Sequence, residues 1–321
     1  MVDFIRQSAE LELKAKMKAT IRAIKYKLLY RVVVMVIELS NEMPRRVWIA
    51  FCAGLGNLLY YAVPGIKRQI QKNLTLAYKS EKSVREIRML TKQVVVMLVK
   101  NAGVVLRQFL IPRERFYQQT IVHGANHAKE AFSSGRGVIF LTAHLGPFEC
   151  LAHELAIRGY NPYIIGTPLK DRMLNELVNA NRAKFGGVVI ERGKETYRVM
   201  KNLMAGGTMA ILIDQDTSVK SVFVDFFGTP CSTPAGAVMI AMKTGAAVIP
   251  VFSHLNTKGQ HEVDYYKEVK LQTTGNESND IQTNTQTLTT IIEKQIRKYP
   301  DQWVWMHRRW KTQRTIALAS S

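Results

Sequence analysis

The sequence predicts an α/β fold in which helices flank a mainly parallel or mixed sheet, preceded by an N-terminal, membrane-associated helical segment. Two observations predict the sheet: short apolar, β-rich runs recur between residues 137 and 252, and stretches with a helical pattern separate them. Continuous apolar strands that alternate with helices are typical of parallel strands buried on both faces. A third observation, an uncharged run beside a basic amphipathic stretch, predicts the N-terminal segment over residues 1–70.

The N-terminal segment combines two patterns. Bases and apolar residues alternate at roughly helical spacing through residues 11–31, a type of helix that often lies on anionic membrane surfaces. The uncharged run at 47–65 has almost the length that spans a hydrocarbon core, although Gly54, Gly56 and Asn57 dilute it. We expect a membrane-embedded or interfacial hairpin here, with a solvated basic helix and a buried core helix as the alternatives.

The sequence pattern of the remaining residues changes twice. A helical, amphipathic pattern extends from residue 72 to about residue 132. Strands are then predicted at 137–143, 163–165, 188–190, 208–214 and 246–252. An apparent edge strand from residue 262, a polar connection, a final helix and a Trp-rich tail complete the prediction.

Composition narrows the kind of partner. The chain has 321 residues, 47% of them hydrophobic, and 45 Lys+Arg against 25 Asp+Glu give a net charge of +20. A chain this apolar can bury a core, so the charge is not that of a disordered basic tail. An excess of cations on a folded protein indicates a polyanionic partner, either nucleic acid or an anionic membrane.

The cysteines and the N-terminus predict the compartment. Cys52, Cys150 and Cys231 form no CxxC pair and have no histidines at metal-ligand spacing, so we expect neither a disulfide framework nor a metal site. The first residues lack the apolar core and cleavage site of a signal peptide. We therefore expect a retained N-terminus and a reducing cytoplasm around most of the chain.

The strongest candidate for chemistry follows the strand GVIFLTA. His144 comes directly after it, and the turn Leu-Gly-Pro-Phe leads to Glu149 at the start of a helical stretch. The side chains of His144 and Glu149 can converge if the histidine ends the strand and Pro147 opens the helix. The pattern predicts a general base, His144, whose imidazole is oriented by Glu149; a structural histidine at a strand end is the alternative.

A second strand end carries further polar residues. Asp214 and Asp216 follow the strand TMAILID, and buried acids at such a place are either functional or paired with cations such as Arg182. Ser232 and Thr233 precede the next helix, where they are candidates for an anion or oxyanion site or for simple helix capping. The nearby phenylalanines of SVFVDFF are candidates for an acyl-chain groove or for the core.

The tail PDQWVWMHRRWK sets bases such as Arg308 beside indoles. This composition suits an anionic lipid interface, where arginine binds phosphate, and it equally suits single-stranded nucleic acid. The tail alone does not decide between the two.

Taken in order, the blocks HLGPFE, ILIDQD, SVFVDFFGTP with STPAG, GAAVIPVF and PDQWVWMHRRWK resemble the lipid A biosynthesis lauroyl/myristoyl acyltransferase family. The likeness extends from about residue 28 to residue 311. One departure is Pro147, where many members carry Asn before the aromatic residue. The related glycerophospholipid acyltransferases usually have Asn before the histidine and Asp as the acid, so Ala143 and Glu149 argue against that branch.

The resemblance implies a glycerolipid acyltransferase-like fold, with an acyltransferase domain over residues 71–321. It implies transfer of a fatty acyl chain from acyl-carrier protein to a hydroxyl of a lipid A precursor, at the cytoplasmic face of the inner membrane of a Gram-negative bacterium. It assigns His144 as the base and Glu149 as its partner, Arg182 to substrate phosphate or the oxyanion, and Asp214 and Asp216 to the rest of the site. Neither a metal nor a cofactor is needed by this reaction class.

Three alternatives remain open on the sequence. The acceptor is not encoded in the His–Glu pattern, so another glycolipid or aminolipid is the first of them. A nucleic-acid-binding protein, suggested only by charge and the tail, is the second. The third is a membrane-bound scaffold that has lost its activity. On the distribution of the bases we expect an anionic membrane and no nucleic acid as partner.

Overall fold

The computed structural model describes residues 2–191 and 195–312, without the side chains of residues 2–13, 15, 16 and 19. The predicted basic helix includes Leu11, Leu13 and Lys16, whose side chains lie outside the described residues, as do residues 313–321 of the predicted second domain. The predicted domain boundary at residues 70 and 71 falls inside a helix, Pro64–Tyr78.

A seven-stranded sheet forms the centre of the molecule, with helices on both sides. In spatial order its strands are β1 (Thr120–His123), β9 (His261–Tyr265), β8 (Ala247–Leu255), β2 (Val138–Thr142), β5 (Thr208–Leu212), β3 (Tyr163–Gly166) and β4 (Val188–Glu191). All neighbours are parallel except β8 and β9. The α/β class and the strands predicted between 137 and 252 are therefore confirmed.

The remaining elements surround this sheet. A two-stranded hairpin pairs β6 (Ser221–Phe226) with β7 (Thr229–Pro234). The helices are α1 (Val2–Glu42), α2 (Arg45–Ala62), α3 (Pro64–Tyr78), α4 (Val84–Gln108), α5 (Arg113–Gln119), α6 (Ala125–Ser133), α7 (Cys150–Ile157), α8 (Arg172–Ala183), α9 (Thr196–Met204), α10 (Gly236–Thr244) and α11 (Glu277–Lys298). The largest buried cluster joins α3, α4 and α11 to the central strands.

The sequence interpretation missed one strand of the central sheet, and it named neither strand of the β6–β7 hairpin. β1 lies within the stretch assigned to helix, and as the outermost strand it makes β9 an interior strand rather than the predicted edge. β1 has four residues that alternate between half-buried and exposed. So short a segment, following directly on α5, gives periodicity too little length to distinguish a strand from a helix.

The apolar run at 47–65 does not form one straight helix. α2 ends at Ala62, and the axis turns by 91° into α3. Pro64 begins α3, since proline lacks the N–H that would continue α2 and disfavours helical geometry in the residue before it. By length and composition α4 is apolar enough to span a membrane, as are α2 and α3 taken together, yet 44% of the α4 window is buried inside the protein.

One face of α2 packs against α4. A Cβ atom on Gly56 would lie 2.7 Å from Val96 Cα, and one on Gly103 would lie 2.4 Å from Cys52 Sγ, so both glycines permit a close approach. The opposite face of α2 and one stripe of α1 expose large apolar side chains: Met17, Ile21, Ile24, Leu28, Met35, Leu39, Val47, Phe51, Leu55, Leu58 and Tyr61. Soluble monomers seldom expose such continuous apolar stripes, which are typical of binding or membrane surfaces.

Candidate active site

The sheet brings His144 and Asp214 to the same place. β2 and β5 are neighbouring parallel strands in which Thr142 is level with Leu212. Both polar residues come two positions after these paired ends, at the carboxyl edge where ligand sites of open α/β sheets gather. Strand register therefore sets the two side chains opposite each other.

Asp214 holds the imidazole of His144 with one oxygen and the backbone with the other. Its Oδ1 lies 2.8 Å from His144 Nδ1, and its Oδ2 accepts the backbone N–H of His144 at 2.8 Å. Because an ionised carboxylate only accepts hydrogen bonds, Nδ1 carries the proton and Nε2 is left with a free lone pair. The imidazole is 23% exposed, so Nε2 can act as a base toward a bound substrate.

Trp303 completes the support of the carboxylate. Its Nε1–H donates to Asp214 Oδ2 at 2.7 Å, and its backbone forms a bridge with Leu145 in the turn after His144. Burial by itself raises the pKa of Asp214, but the charge of His144 and the hydrogen bonds from His144 and Trp303 lower it to about 2. Asp214 is therefore ionised at neutral pH although its side chain is only 1% exposed.

Glu149 has a different partner from the one predicted. It precedes α7 in a turn, and Arg182 in the last turn of α8 donates to both of its oxygens, from Nε at 2.8 Å and from Nη2 at 2.5 Å. The carboxylate that orients the imidazole is thus Asp214, whereas sequence reasoning assigned this contact to Glu149. Proximity in sequence suggested Glu149, but the register of β2 and β5 determines the actual pair.

The Arg182 guanidinium keeps one nitrogen outside this pair. Nη1 lies next to Gly166, where an added Cβ would be 2.9 Å from it. The hydrogen bonds that Arg182 donates to Glu149 raise the pKa of Arg182, so the group is a permanent cation. A fixed cation near the end of β3 suits the binding of a phosphate or the stabilisation of an oxyanion.

Replacing Gly166 by alanine tests whether the position of Arg182 matters. The methyl group would meet only the end of a flexible side chain, so we expect the free energy of unfolding to change by less than about 1 kcal/mol. Displacement of the guanidinium is expected to lower catalytic efficiency by roughly tenfold, an effect measurable by steady-state kinetics. The matched control is Gly65→Ala, where nothing lies within 4 Å of the added carbon, and unchanged efficiency in Gly166→Ala would contradict this role for Arg182.

The other predicted site residues have structural partners. Asp216 accepts the backbone N–H of Thr312 at 2.9 Å and its hydroxyl at 3.1 Å, which ties down the C-terminal segment. Ser232 and Thr233 lie on β7 and do not cap α10 as the sequence suggested; the buried guanidinium of Arg309 donates to Ser232 O and to Thr233 Oγ1.

The Trp-rich tail is mostly interior. Trp303 and Trp305 are fully buried, so they cannot lie at lipid headgroup depth or stack on nucleic-acid bases, and Arg308 is exposed. Phe226 and Phe227 are likewise buried against these indoles and belong to the core rather than to an open groove. Sequence reasoning missed the role of Trp303 because its only signal was an apolar ring near the chain end.

Cys150 is excluded as a nucleophile by its surroundings. The side chain is fully buried, and burial followed by the charge of Glu149 raises the pKa of its thiol well above the ordinary value. A thiol that stays protonated is a poor nucleophile. Cys150 is therefore no candidate for a covalent intermediate beside His144.

Comparison with known proteins agrees with this geometry. A family model described as bacterial lipid A biosynthesis acyltransferase matches residues 14–312. The lipid A biosynthesis lauroyltransferase of Escherichia coli (strain K12) is 25% identical over 289 residues, 86% of this chain and 89% of that protein.

Two further relatives align over shorter stretches. A lipid A biosynthesis acyltransferase of Haemophilus influenzae is 26% identical over 185 residues, 57% of this chain and 56% of that protein. A phosphatidylinositol mannoside acyltransferase of Mycolicibacterium smegmatis is 26% identical over 201 residues, 61% of this chain and 64% of that protein. Because the family model extends across the site, from before His144 to beyond Trp303, the chain belongs to the bacterial lipid A biosynthesis acyltransferase family.

Proposed function

We propose that this protein transfers a fatty acyl chain from acyl-carrier protein to a hydroxyl of a lipid A precursor, a late step of lipid A acylation. The observation that carries the proposal is the His144–Asp214 pair at the carboxyl edge of the sheet, in which the carboxylate contacts Nδ1 and leaves Nε2 on the other side of the ring. Family membership supplies the reaction class. The pair supplies the base that such a reaction needs.

In the proposed reaction His144 Nε2 takes the proton of the acceptor hydroxyl as its oxygen attacks the thioester carbonyl. Asp214 stabilises the imidazolium that forms, as an ionised carboxylate does for a histidine base. The tetrahedral intermediate then expels the thiolate of the carrier, and the imidazolium returns the proton to that sulfur. The ester bond forms, the thioester bond breaks, and His144 regains its starting state.

We assign Glu149 to positioning rather than to proton transfer. Its two hydrogen bonds fix the plane of the Arg182 guanidinium and leave Nη1 directed elsewhere. Arg182 then binds a substrate phosphate or stabilises the oxyanion, as proposed from the sequence. Exposed Arg308 remains a candidate contact for a phosphate, whereas the contacts of Asp216, Ser232 and Thr233 support a structural role.

We propose the cytoplasmic face of the inner membrane of a Gram-negative bacterium as the place of action. The support is the apolar stripe on α1 and α2, which the exposed bases Lys14, Lys18, Arg22 and Lys25 accompany. A helix of this kind binds an anionic bilayer through apolar burial and charge together. With Trp303 and Trp305 buried and Trp310 half-buried, the argument for nucleic acid rests mainly on net charge.

A second acceptor class has one observation in its favour. The relative from Mycolicibacterium smegmatis is named for phosphatidylinositol mannoside and is about as similar as the relatives named for lipid A. The alternative is therefore transfer to another glycolipid. The chemistry of His144 would be the same in both cases.

Mass spectrometry of lipid A from a deletion strain and its parent tests the proposal. We expect the deletion strain to accumulate lipid A that lacks one acyl chain, restored by the wild-type gene and not by the His144→Ala variant. Purified protein with acyl-carrier protein thioester should acylate the precursor in vitro. Unchanged lipid A together with acylation of a different glycolipid in vitro would replace lipid A by that acceptor.

A further inference from the structure

A polar pocket distinct from the His144 site lies beyond the carboxyl edge of the sheet, next to strands β1 and β9. It has a cavity volume of about 30 Å³, is partly open to solvent, and lies between α2, α4, α5 and the starts of β1 and β9. Its polar lining consists of Arg45, Arg107, Gln108, Gln119, Thr120 and His261. We refer to it as the Arg45–Arg107 pocket.

The strand order and register show how far this pocket lies from His144 and Asp214. β9 runs antiparallel to β8 and parallel to β1, so His261, which is level with Leu255, and Thr120 begin their strands beyond the carboxyl ends of β2 and β5. Two strand spacings, roughly 10 Å, separate β9 from β2. A hydrogen-bonded link connects the two places, since His261 Nε2 lies 2.7 Å from Ser253 Oγ, which donates to Pro147 O at 3.3 Å.

Both arginines of the pocket lack acidic partners. Arg45 donates through Nη2 to Gly259 O, and Arg107 donates through Nη1 to Ser40 O and to Met43 O. Among the described residues no carboxylate forms an ion pair with either guanidinium. Each group therefore keeps further N–H donors and its full positive charge for a ligand.

Partial burial makes this arrangement costly without an anion. Arg45 and Arg107 are both half-buried, and desolvation followed by the charges of Arg115 and Arg45 lowers the pKa of Arg107. Like charges repel at this range, and water screens them less in a pocket than on an open surface. A bound anion would relieve both the desolvation and the repulsion.

His261 does not supply additional charge. Burial, with the positive charge of Arg45 as the next cause, lowers its pKa to about 3, and its nitrogens face the hydroxyls of Ser253 and Thr120. It is neutral at physiological pH. The anion affinity of the pocket thus depends on the two guanidinium groups.

Exposed apolar side chains adjoin the pocket in the chain. Leu39 precedes Ser40, whose carbonyl binds Arg107; Val47 follows Arg45 by two residues. Leu110, also exposed, separates α4 from the pocket residue Ile111. Leu39 and Val47 belong to the apolar stripe of α1 and α2, which is where a lipid would meet the protein.

We propose that the Arg45–Arg107 pocket is a phosphate subsite for a phosphorylated lipid, separate from the His144 centre. Guanidinium groups bind phosphate oxygens bidentately, Gln119 adds a neutral polar contact, and the apolar rim accepts acyl chains. The identification of this lipid with the acyl acceptor rests on the proposed function. A bulk anionic phospholipid is the other source of the same phosphate group.

Binding of dihexanoyl phosphatidic acid below its micellar concentration, measured by titration calorimetry, tests the subsite without turnover. We expect Arg45→Gln to weaken binding by about tenfold, through loss of a charge-assisted contact. Gln119→Glu is expected to abolish binding while the protein stays folded, because the new carboxylate pairs with the arginines. The matched control is Arg46→Gln, which removes the same charge from the exposed neighbour and should leave binding within about twofold.

Binding of inorganic phosphate and the kinetics of the acceptor distinguish an acyl acceptor from a bulk anionic phospholipid as the ligand. Equal affinity for inorganic phosphate and the lipid would show that the anion alone is recognised. A roughly tenfold rise of the acceptor KM in Arg45→Gln, with unchanged KM for the acyl donor, assigns the subsite to the acceptor, whereas lost lipid binding with an unchanged acceptor KM assigns it to bulk phospholipid.

Two outcomes overturn the subsite. One is wild-type lipid binding in both Arg45→Gln and Gln119→Glu, and the other is an equal loss of binding in Arg46→Gln. If the wild-type protein binds the lipid phosphate through Arg45 but acylates no acceptor, the proposed function fails and the subsite stands.

Discussion

Replacing His144 by alanine is expected to lower kcat for acyl transfer on the order of 1,000-fold, because the variant has no group to take the hydroxyl proton. KM for either substrate is expected to change little, since the imidazole acts on the reacting atoms in the transition state. The assay is the initial rate of transfer from acyl-carrier protein thioester to the lipid A precursor.

The exposed histidine His123 provides the matched control. It lies on β1, the outermost strand and three strand positions from β2, and pairs with Glu262 at 3.3 Å, so His123→Ala should retain nearly the full rate. Thermal unfolding of the His144→Ala variant should show a folded protein. A folded variant that retains the wild-type rate would remove His144 from the reaction.

Replacing Asp214 by asparagine is expected to lower kcat on the order of 1,000-fold, no more than His144→Ala does, while the geometry persists. An amide can present its N–H₂ group to Nδ1, which favours the tautomer with the proton on Nε2 and so removes the base. The amide also cannot stabilise the imidazolium. Asp225→Asn, at an exposed position on β6, is the matched control and should leave the rate unchanged.

The same substitution should reduce stability in a pH-dependent way. The pKa of Asp214 falls from 3.8 to about 2 on folding, so its carboxylate stabilises the folded state above pH 3.8, and this stabilisation is lost as the pH falls toward 2. The difference in unfolding free energy between the wild type and Asp214→Asn should therefore shrink over that interval. A difference that grew on acidification would contradict the lowered pKa.

Strand positions were predictable because the central strands are fully apolar and separated by helical stretches. β2 is buried at all five positions and β8 at all nine, a pattern that a continuous apolar run reveals directly. β1 was not predictable, since four residues that alternate between half-buried and exposed, directly after a short helix, carry little periodicity. For the apolar run a membrane-embedded or interfacial hairpin was predicted, and α2 and α3 do bend by 91° at its end, next to Pro64.

The site was predictable only in part, because the sequence does not show which strands are neighbours or how they are aligned. A histidine and an acid at strand ends indicate the same edge of the sheet, so His144 and Asp214 were both identified as candidates. Which acid meets the imidazole depends on which strands are neighbours, and local spacing does not contain the order β2–β5. Trp303, which holds Asp214 from 89 positions away along the chain, is a tertiary contact of the same kind.

The Arg45–Arg107 pocket is likewise a tertiary arrangement that local spacing does not reveal. Its two arginines lie on different helices, and the sequence assigned basic residues of this region only to general attraction toward an anionic surface. The fold converts two of these charges into a directed pair without acidic partners. Net charge thus predicted the class of ligand but not the place where it binds.

A double-mutant cycle on kcat, comparing the wild type, His144→Ala, Asp214→Asn and the double variant, tests the central claim most directly. If Asp214 acts through His144, removing both should cost about as much as removing His144 alone, within roughly threefold. Losses that instead multiply across the two sites would show independent roles and contradict a His144–Asp214 base in this acyltransferase.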